Sequence, residues 1–240
     1  MLDDIKIEDL LFIDIETVSG ESSFDKVRPK LQDLWEKKSN YFREEDQTAS
    51  DVYARAGIYS EFGKVVCIST GIIIRSGDEK HFKVKSYYGH DEKKLLAEFG
   101  EMLDRFCVKP SKNLCAHNGK EFDFPYIARR MLINGLKLPK ALNIAGKKPW
   151  EIKFIDTMEL WKFGDYKHYT SLALLCEIFN IPTPKDDIDG SMVGHVYWEE
   201  DDLERIAIYC EKDILATAQL FLRYKGEDLI PEENLERVSN

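Results

Sequence analysis

The apolar positions of the chain fall into runs of two periods, and the runs mark its elements. Residues 10 to 15, LLFIDI, form a short apolar run with strand character. Residues 64 to 75, KVVCISTGIIIR, form a longer β-branched run, and Ser76-Gly77-Asp78 is a turn signal. Residues 81 to 88, HFKVKSYY, alternate as a hairpin partner should. The period then changes to that of a helix in KKLLAEFGEMLDRF, with Asp91 as its cap. NLCAH, 113 to 117, reads as a short buried strand, and the helix after it stops at Gly135. In KFIDTMELWK a strand edge precedes a capping-box pattern, Asp156 with Glu159 three residues on. Thr170 or Ser171 caps LALLCEIFN, Pro182 stops it, and a polar loop covers 182 to 194. A long helix is predicted from about Glu199 to Tyr224, followed by an acidic tail from about 226 to 240 that is expected to pack loosely. Strands first, then strands alternating with helices, predict an α/β layer fold with a mixed sheet in one domain, 1 to 240.

Residues 21 to 60 interrupt this pattern. They are charge-rich, carry Trp35, Tyr41 and Phe42, and show no strand. KLQDLWEKK reads as one helix and SDVYARAGIY as a second, with Ser50 as N-cap. Such a segment is either a structural ornament or a flap that guides substrate.

Composition narrows the class. Hydrophobic content of 43% and charged content of 32% suit a soluble globular protein. No apolar run reaches membrane-span length, and the N-terminus lacks the basic-then-apolar order of a signal peptide. The five cysteines are odd in number and unpaired in spacing, as expected of buried thiols in a reducing cytoplasm. They form no Cys/His cluster spaced for zinc. The net charge of −10 disfavours a grip on extended duplex. A nucleic-acid partner would be engaged locally, at an end or a short single strand.

Three sets of residues carry candidate chemistry. Asp14 and Glu16, two apart on a strand, point the same way, while Ile15 between them points into the core. Carboxylates side by side repel, and a hard divalent cation such as Mg²⁺ relieves this. A solvated acidic turn would also explain them. Asp123 lies between Phe122 and Phe124 in HNGKEFDFP, 117 to 125, where a helix N-cap is an alternative role. Tyr209 and Asp213 in YCEKD are four apart and share a helix face, an arrangement often no more than a surface hydrogen bond.

Taken in order, Asp-x-Glu, Asp and Tyr-x-x-x-Asp resemble the three motifs of the DEDD superfamily of 3′→5′ exonucleases, in its tyrosine branch. FIDIET resembles the first motif. NGKEFDFP resembles the second in the form found in the proofreading domains of family B DNA polymerases, and YCEKDILAT resembles the third. The similarity spans about residues 10 to 225 and extends to stand-alone bacterial proteins described as exonucleases related to that domain. The histidine branch would place His where Ile208 stands. His195 is then at most a reserve base, and His117 a strand-end residue.

The resemblance implies a ribonuclease H-like fold, a five-stranded mixed sheet flanked by helices. It implies two Mg²⁺ or Mn²⁺ ions as cofactors, with Asp14 bridging both, Glu16 and Asp213 on the ion that activates water, and Asp123 on the ion beside the leaving oxygen. Tyr209 would orient the water. Ile15, Thr17, Asn118 and Phe122 would meet the substrate, the 3′ end of single-stranded DNA. No polymerase region follows in these 240 residues, so proofreading in cis is not expected. An RNA-trimming exonuclease and a catalytically silent end-binding module are the alternatives.

Overall fold

In the computed structural model, which describes residues 2–165, 169–182 and 188–238, the first apolar run forms β1, Leu10–Ser19. Residues 183–187 of the expected polar loop lie outside the described residues. The insertion after β1 contains helix α1, Pro29–Ser39, with proline at its start, where a missing N–H costs nothing. It also contains a 3₁₀ turn, Tyr53–Ile58. The hairpin follows as β2, Gly63–Ser76, and β3, Glu79–Tyr88, joined by a two-residue loop with Gly77 at φ 62°. Helix α2, Glu92–Phe106, is capped by Asp91, whose Oδ1 accepts the Lys94 N–H at 3.0 Å. Next come β4, Asn113–Ala116, α3, Asp123–Ile133, β5, Ile155–Asp156, α4, Thr157–Lys162, and α5, Leu172–Ile178. A short α6, Val193–His195, runs into a π-helical turn, Val196–Glu200. The chain closes with α7, Leu203–Tyr224, and β6, Leu235–Arg237.

The strands form one mixed sheet in the order β5-β4-β1-β2-β3-β6. β1–β2 and β2–β3 are antiparallel, and the other three pairings are parallel. This sheet has six strands among the described residues, not five. The sixth comes from the tail, which is not loose throughout. β6 pairs with β3, Ile230 is buried, and the Gln219 amide bonds both the N–H and the carbonyl of Ile230 at 2.9 and 2.8 Å.

Three boundaries also differ from the pattern. β1 continues to Ser19 because β2 pairs with it that far, so the acids sit within the strand rather than at its end. The Tyr53–Ile58 turn is preceded by Val52, and Ser50 does not cap it. The last helix starts at Leu203, because Asp201 adopts a left-handed φ of 56° and Asp202 caps from its side chain.

Alternation along β1 sorts its side chains between two cores. Leu11, Ile13 and Ile15 pack with Leu96, Phe99, Phe124 and Ile127 of α2 and α3. Leu10 and Phe12 pack on the other face with Ile214, Ala218 and Phe221 of α7. Asp14 and Glu16 continue the Leu10–Phe12 series and therefore face α7.

Candidate active site

Where β1 passes α7, the apolar series gives way to charge. Tyr209, Cys210 and Asp213 occupy the adjoining turn of α7, and the Cys210 thiol donates to Asp14 Oδ2 at 3.3 Å and to the Asp14 carbonyl at 3.5 Å. Asp14, Glu16 and Cys210 each offer a ligand atom within 4.8 Å of the others. Asp123 comes from the opposite layer. It is the first residue of α3, not its cap, and its Oδ1 accepts the Ile15 N–H at 3.1 Å. Glu16 and Asp123 are only 8% and 4% exposed, so their charges meet in a medium that screens them poorly.

The electrostatics register this convergence. Burial, then the charges of Asp123, Asp213 and Glu16, push the Asp14 carboxyl well above its usual range, opposed by the Cys210 thiol. Burial, Asp213, Cys67 and Asp123 do the same to Glu16. Asp123 is raised to about 7, chiefly by burial, against the pull of its own amide and that of Ile15. Burial and then Asp213, Glu16 and Asp14 raise Tyr209, whose hydroxyl donates to Asp213, so this phenol keeps its proton at neutral pH. Among the described residues, no lysine or arginine pairs with Asp14, Glu16 or Asp123. Oxygen donors gathered without a basic partner fit hard divalent cations.

The loop of the second motif is held by a carboxylate outside the set. Asp156 caps α4 as its spacing predicts, and its Oδ1 also accepts the Asn118 N–H at 2.9 Å while Oδ2 accepts the Lys120 N–H at 3.1 Å. Asn118 is left-handed, φ 63°, and its buried Oδ1 has no partner among the described residues. Gly119 is required here, since a Cβ would lie 2.3 Å from that of Ala116. His117 is satisfied by Thr157 Oγ1 and the Thr170 carbonyl, as expected of a strand-end histidine. Lys120 is paired with Glu159 at 2.6 Å. His195 lies 3.4 Å from Glu200.

Three of the four expected substrate residues border a cleft of about 760 Å³ beside the acids. Ile15, Thr17 and Phe122 line it, together with the insertion on one side and residues of 190–199 on the other. The side chain of Ile15 is itself in the core, and that of Thr17 bonds the Tyr126 hydroxyl. Asn118 is not among the lining residues. Sequence reasoning missed Cys210, although its i, i+3 spacing to Asp213 places it on the same helix face. It also missed Tyr169, whose phenol is raised by burial and then by Asp156 and Asp123. Its neighbourhood in sequence carries no signal of that proximity.

Comparison with known proteins shows the family of the chain. Residues 58–234 match a family described as predicted 3′-5′ exonucleases related to the exonuclease domain of PolB. The chain belongs to this family. Over 181 residues it is 24% identical to a DNA polymerase of Pyrococcus glycovorans, a match covering 68% of this chain and 22% of the polymerase. The structure of the family B DNA polymerase from the hyperthermophilic archaeon Pyrobaculum calidifontis is similar at a TM-score of 0.48 and 17% identity, over 90% of this chain and 24% of that one. The chain thus spans about a quarter of the length of these polymerases. The family match contains Asp123, Tyr209 and Asp213 but begins after β1. Asp14 and Glu16 enter through the sheet, where β1 lies between β2 and β4.

Proposed function

We propose that the chain is a metal-dependent 3′→5′ exonuclease that removes nucleoside 5′-monophosphates one at a time from single-stranded DNA ends. The observation that carries this reading is the meeting of Asp14, Glu16, Asp123, Asp213 and Tyr209 from β1, α3 and α7 beside an open cleft. Asp14, Glu16, Asp123 and Asp213 would hold two divalent ions, Mg²⁺ or Mn²⁺. Bound there, such ions supply Lewis-acid activation of water and charge neutralisation at the leaving oxygen. In the reaction, water oxygen bonds to the terminal phosphorus, the bond to the 3′ oxygen breaks, and that oxygen takes a proton.

The protein residues place the reactants. Tyr209 stays protonated and orients water through a hydrogen bond at its hydroxyl oxygen rather than acting as a base. Thr17 and Phe122 would border the terminal nucleotide, which Asn118 would meet from the loop of the second motif. The order and pairing of β3-β2-β1-β4-β5 support a ribonuclease H-like reading, with β6 as an addition at the edge. The five free cysteines fit a reducing cytoplasm. Among the described residues, no helix is long and apolar enough to cross a membrane.

The test is a 5′-labelled single-stranded DNA and its RNA counterpart, each incubated with Mg²⁺ or Mn²⁺ and with EDTA. DNA shortened by single nucleotides with metal, and intact in EDTA, is expected. Faster shortening of the RNA would transfer the activity to RNA trimming. Binding without hydrolysis of either would leave an end-binding module.

A further inference from the structure

The positive charge of the chain is concentrated in one place. Residues 129–153 carry seven lysines and arginines and one acid, a net charge of +6 in a chain of −10. The local pattern turns these cations outward. Leu136, Leu138, Leu142, Ile144 and Ile152 pack on the core of α2 and α3, while Lys137, Lys140, Lys147, Lys148 and Lys153 are exposed. The segment is fixed to the body. Asp104 Oδ1 of α2 accepts the Lys140 N–H at 3.1 Å, and the Asn113 side chain donates to the Lys153 carbonyl. Elsewhere on the surface cations meet carboxylates, as Arg75 meets Glu227 and Lys83 meets Glu236. Within the segment Arg130 does so, with Glu92 at 2.6 Å. Among the described residues, Arg129, Lys137, Lys140, Lys147 and Lys153 have no such pair. Both ends of the segment lie beside the site. Arg129 is six residues along α3 from Asp123, roughly 9 Å. Lys153 is three residues before Asp156, roughly 10 Å, and Asp156 holds the loop of the second motif.

We propose that residues 129–153 form a second contact surface for nucleic acid, one that grips the phosphates of a single strand behind the end held at the acids. The proposal rests on the exonuclease reading for the substrate and names where its charge is met. The cleft meets little of it: Arg55 is the one lysine or arginine among the described residues that line it, and Asp51 and Glu199 line it too. Lysines without carboxylate partners give up no ion pair when they take a phosphate, and the strand releases counterions as they bind. Such contacts carry no sequence information. A strand anchored at the acids is tethered roughly 10 Å from the nearest of these cations, so the second contact forms at high effective concentration. An acidic protein segment would have the charge but not the tether.

The test is binding of 5′-labelled single-stranded DNA, about 6 or about 30 nucleotides long, by fluorescence anisotropy in EDTA across a range of salt. With about five lysines on phosphates, wild-type affinity for the long strand should fall roughly a hundredfold between about 50 and about 200 mM salt. Reversing three of them, Lys147→Glu, Lys148→Glu and Lys153→Glu together, should cut that fall to about tenfold and weaken long-strand binding, leaving short-strand binding unchanged. A control reverses three exposed lysines elsewhere, Lys30→Glu, Lys37→Glu and Lys93→Glu, and alters net charge equally. It should keep the wild-type salt dependence. Wild-type affinity independent of length, or equal salt dependence in the wild type and the first variant, overturns the proposal. So does an equal loss in the control, which would make the effect one of net charge. Displacement of the long strand by polyglutamate as readily as by unlabelled DNA of equal charge would assign the surface to an acidic protein instead. Hydrolysis of the short strand with Mg²⁺ is read in parallel. Its absence, with lysine-dependent binding of the long strand intact, would count against the exonuclease reading and leave the surface standing.

Discussion

Asp123 shows how one side chain answers to several neighbours. Its carboxylate accepts the Ile15 N–H and so ties α3 to the back of the strand that carries Asp14 and Glu16. Burial nevertheless raises it to about 7, against about 3.9 in an unfolded chain. The folded state therefore binds more protons than the unfolded state between those values. The stability from this group is full below about 4 and is lost as pH rises through about 7. In EDTA, the melting temperature of the wild type should fall more steeply from pH 5.5 to 8 than that of Asp123→Asn. Added Mg²⁺ should raise it more at pH 8 than at pH 5.5. Equal slopes for the two proteins would remove Asp123 from the account. The resemblance of HNGKEFDFP to the second exonuclease motif puts Asp123 in the candidate site, and the amide it bonds is legible only once α3 is folded against β1. Asp156 is likewise legible as a cap but not as the holder of the Asn118–Lys120 loop, because those amides lie about 40 residues away in sequence.

The insertion is an element with a core of its own. Trp35 is wholly buried, its indole N–H donates to the Ala49 carbonyl at 2.8 Å, and Phe42, Tyr53, Tyr59 and Phe62 pack around it. Its far end is tied to the body by the Tyr126 hydroxyl on the Gly57 carbonyl and by Arg130 on the Ser60 carbonyl. Trp35→Ala should cost about 3–5 kcal/mol and should act locally. Hydrogen exchange is then expected to rise across residues 24 to 56 while β2 and β3 stay protected. A uniform rise across the sheet would show that the insertion is part of the main core rather than a wall of the cleft. Pattern alone finds the hairpin, α2 and most of α7, because period and caps agree there. It misses the break at Asp201, since WEEDD reads as a helix start, and β6, whose Leu235-Glu236-Arg237 becomes a strand only by lying along β3. Trp35 announces an apolar centre in a charged segment, but which surface it walls off depends on contacts with residues 126 and 130.

Across the whole molecule, the first motif lies on the central strand, the second opens a helix on one face of the sheet, and the third lies on a helix across the other face. No one stretch of sequence builds the site; the order of the strands brings the three motifs together. The net charge of −10 agrees with a protein that engages an end rather than a length of duplex. If the motifs act as one centre, removing a ligand and removing the phenol should have different consequences. Tyr209→Phe removes one positioned hydrogen bond, worth about 1–3 kcal/mol, or roughly ten- to a hundredfold in rate. Asp14→Ala removes the carboxylate on which the other three all act and should lower the rate by several orders of magnitude. The deciding measurement is single-turnover cleavage of a 5′-labelled single-stranded DNA by the wild type and these two variants, with product lengths read at each time. The account predicts stepwise shortening from the 3′ end, slowed by Tyr209→Phe and abolished by Asp14→Ala; wild-type rates in Asp14→Ala, or shortening from the 5′ end, would contradict it.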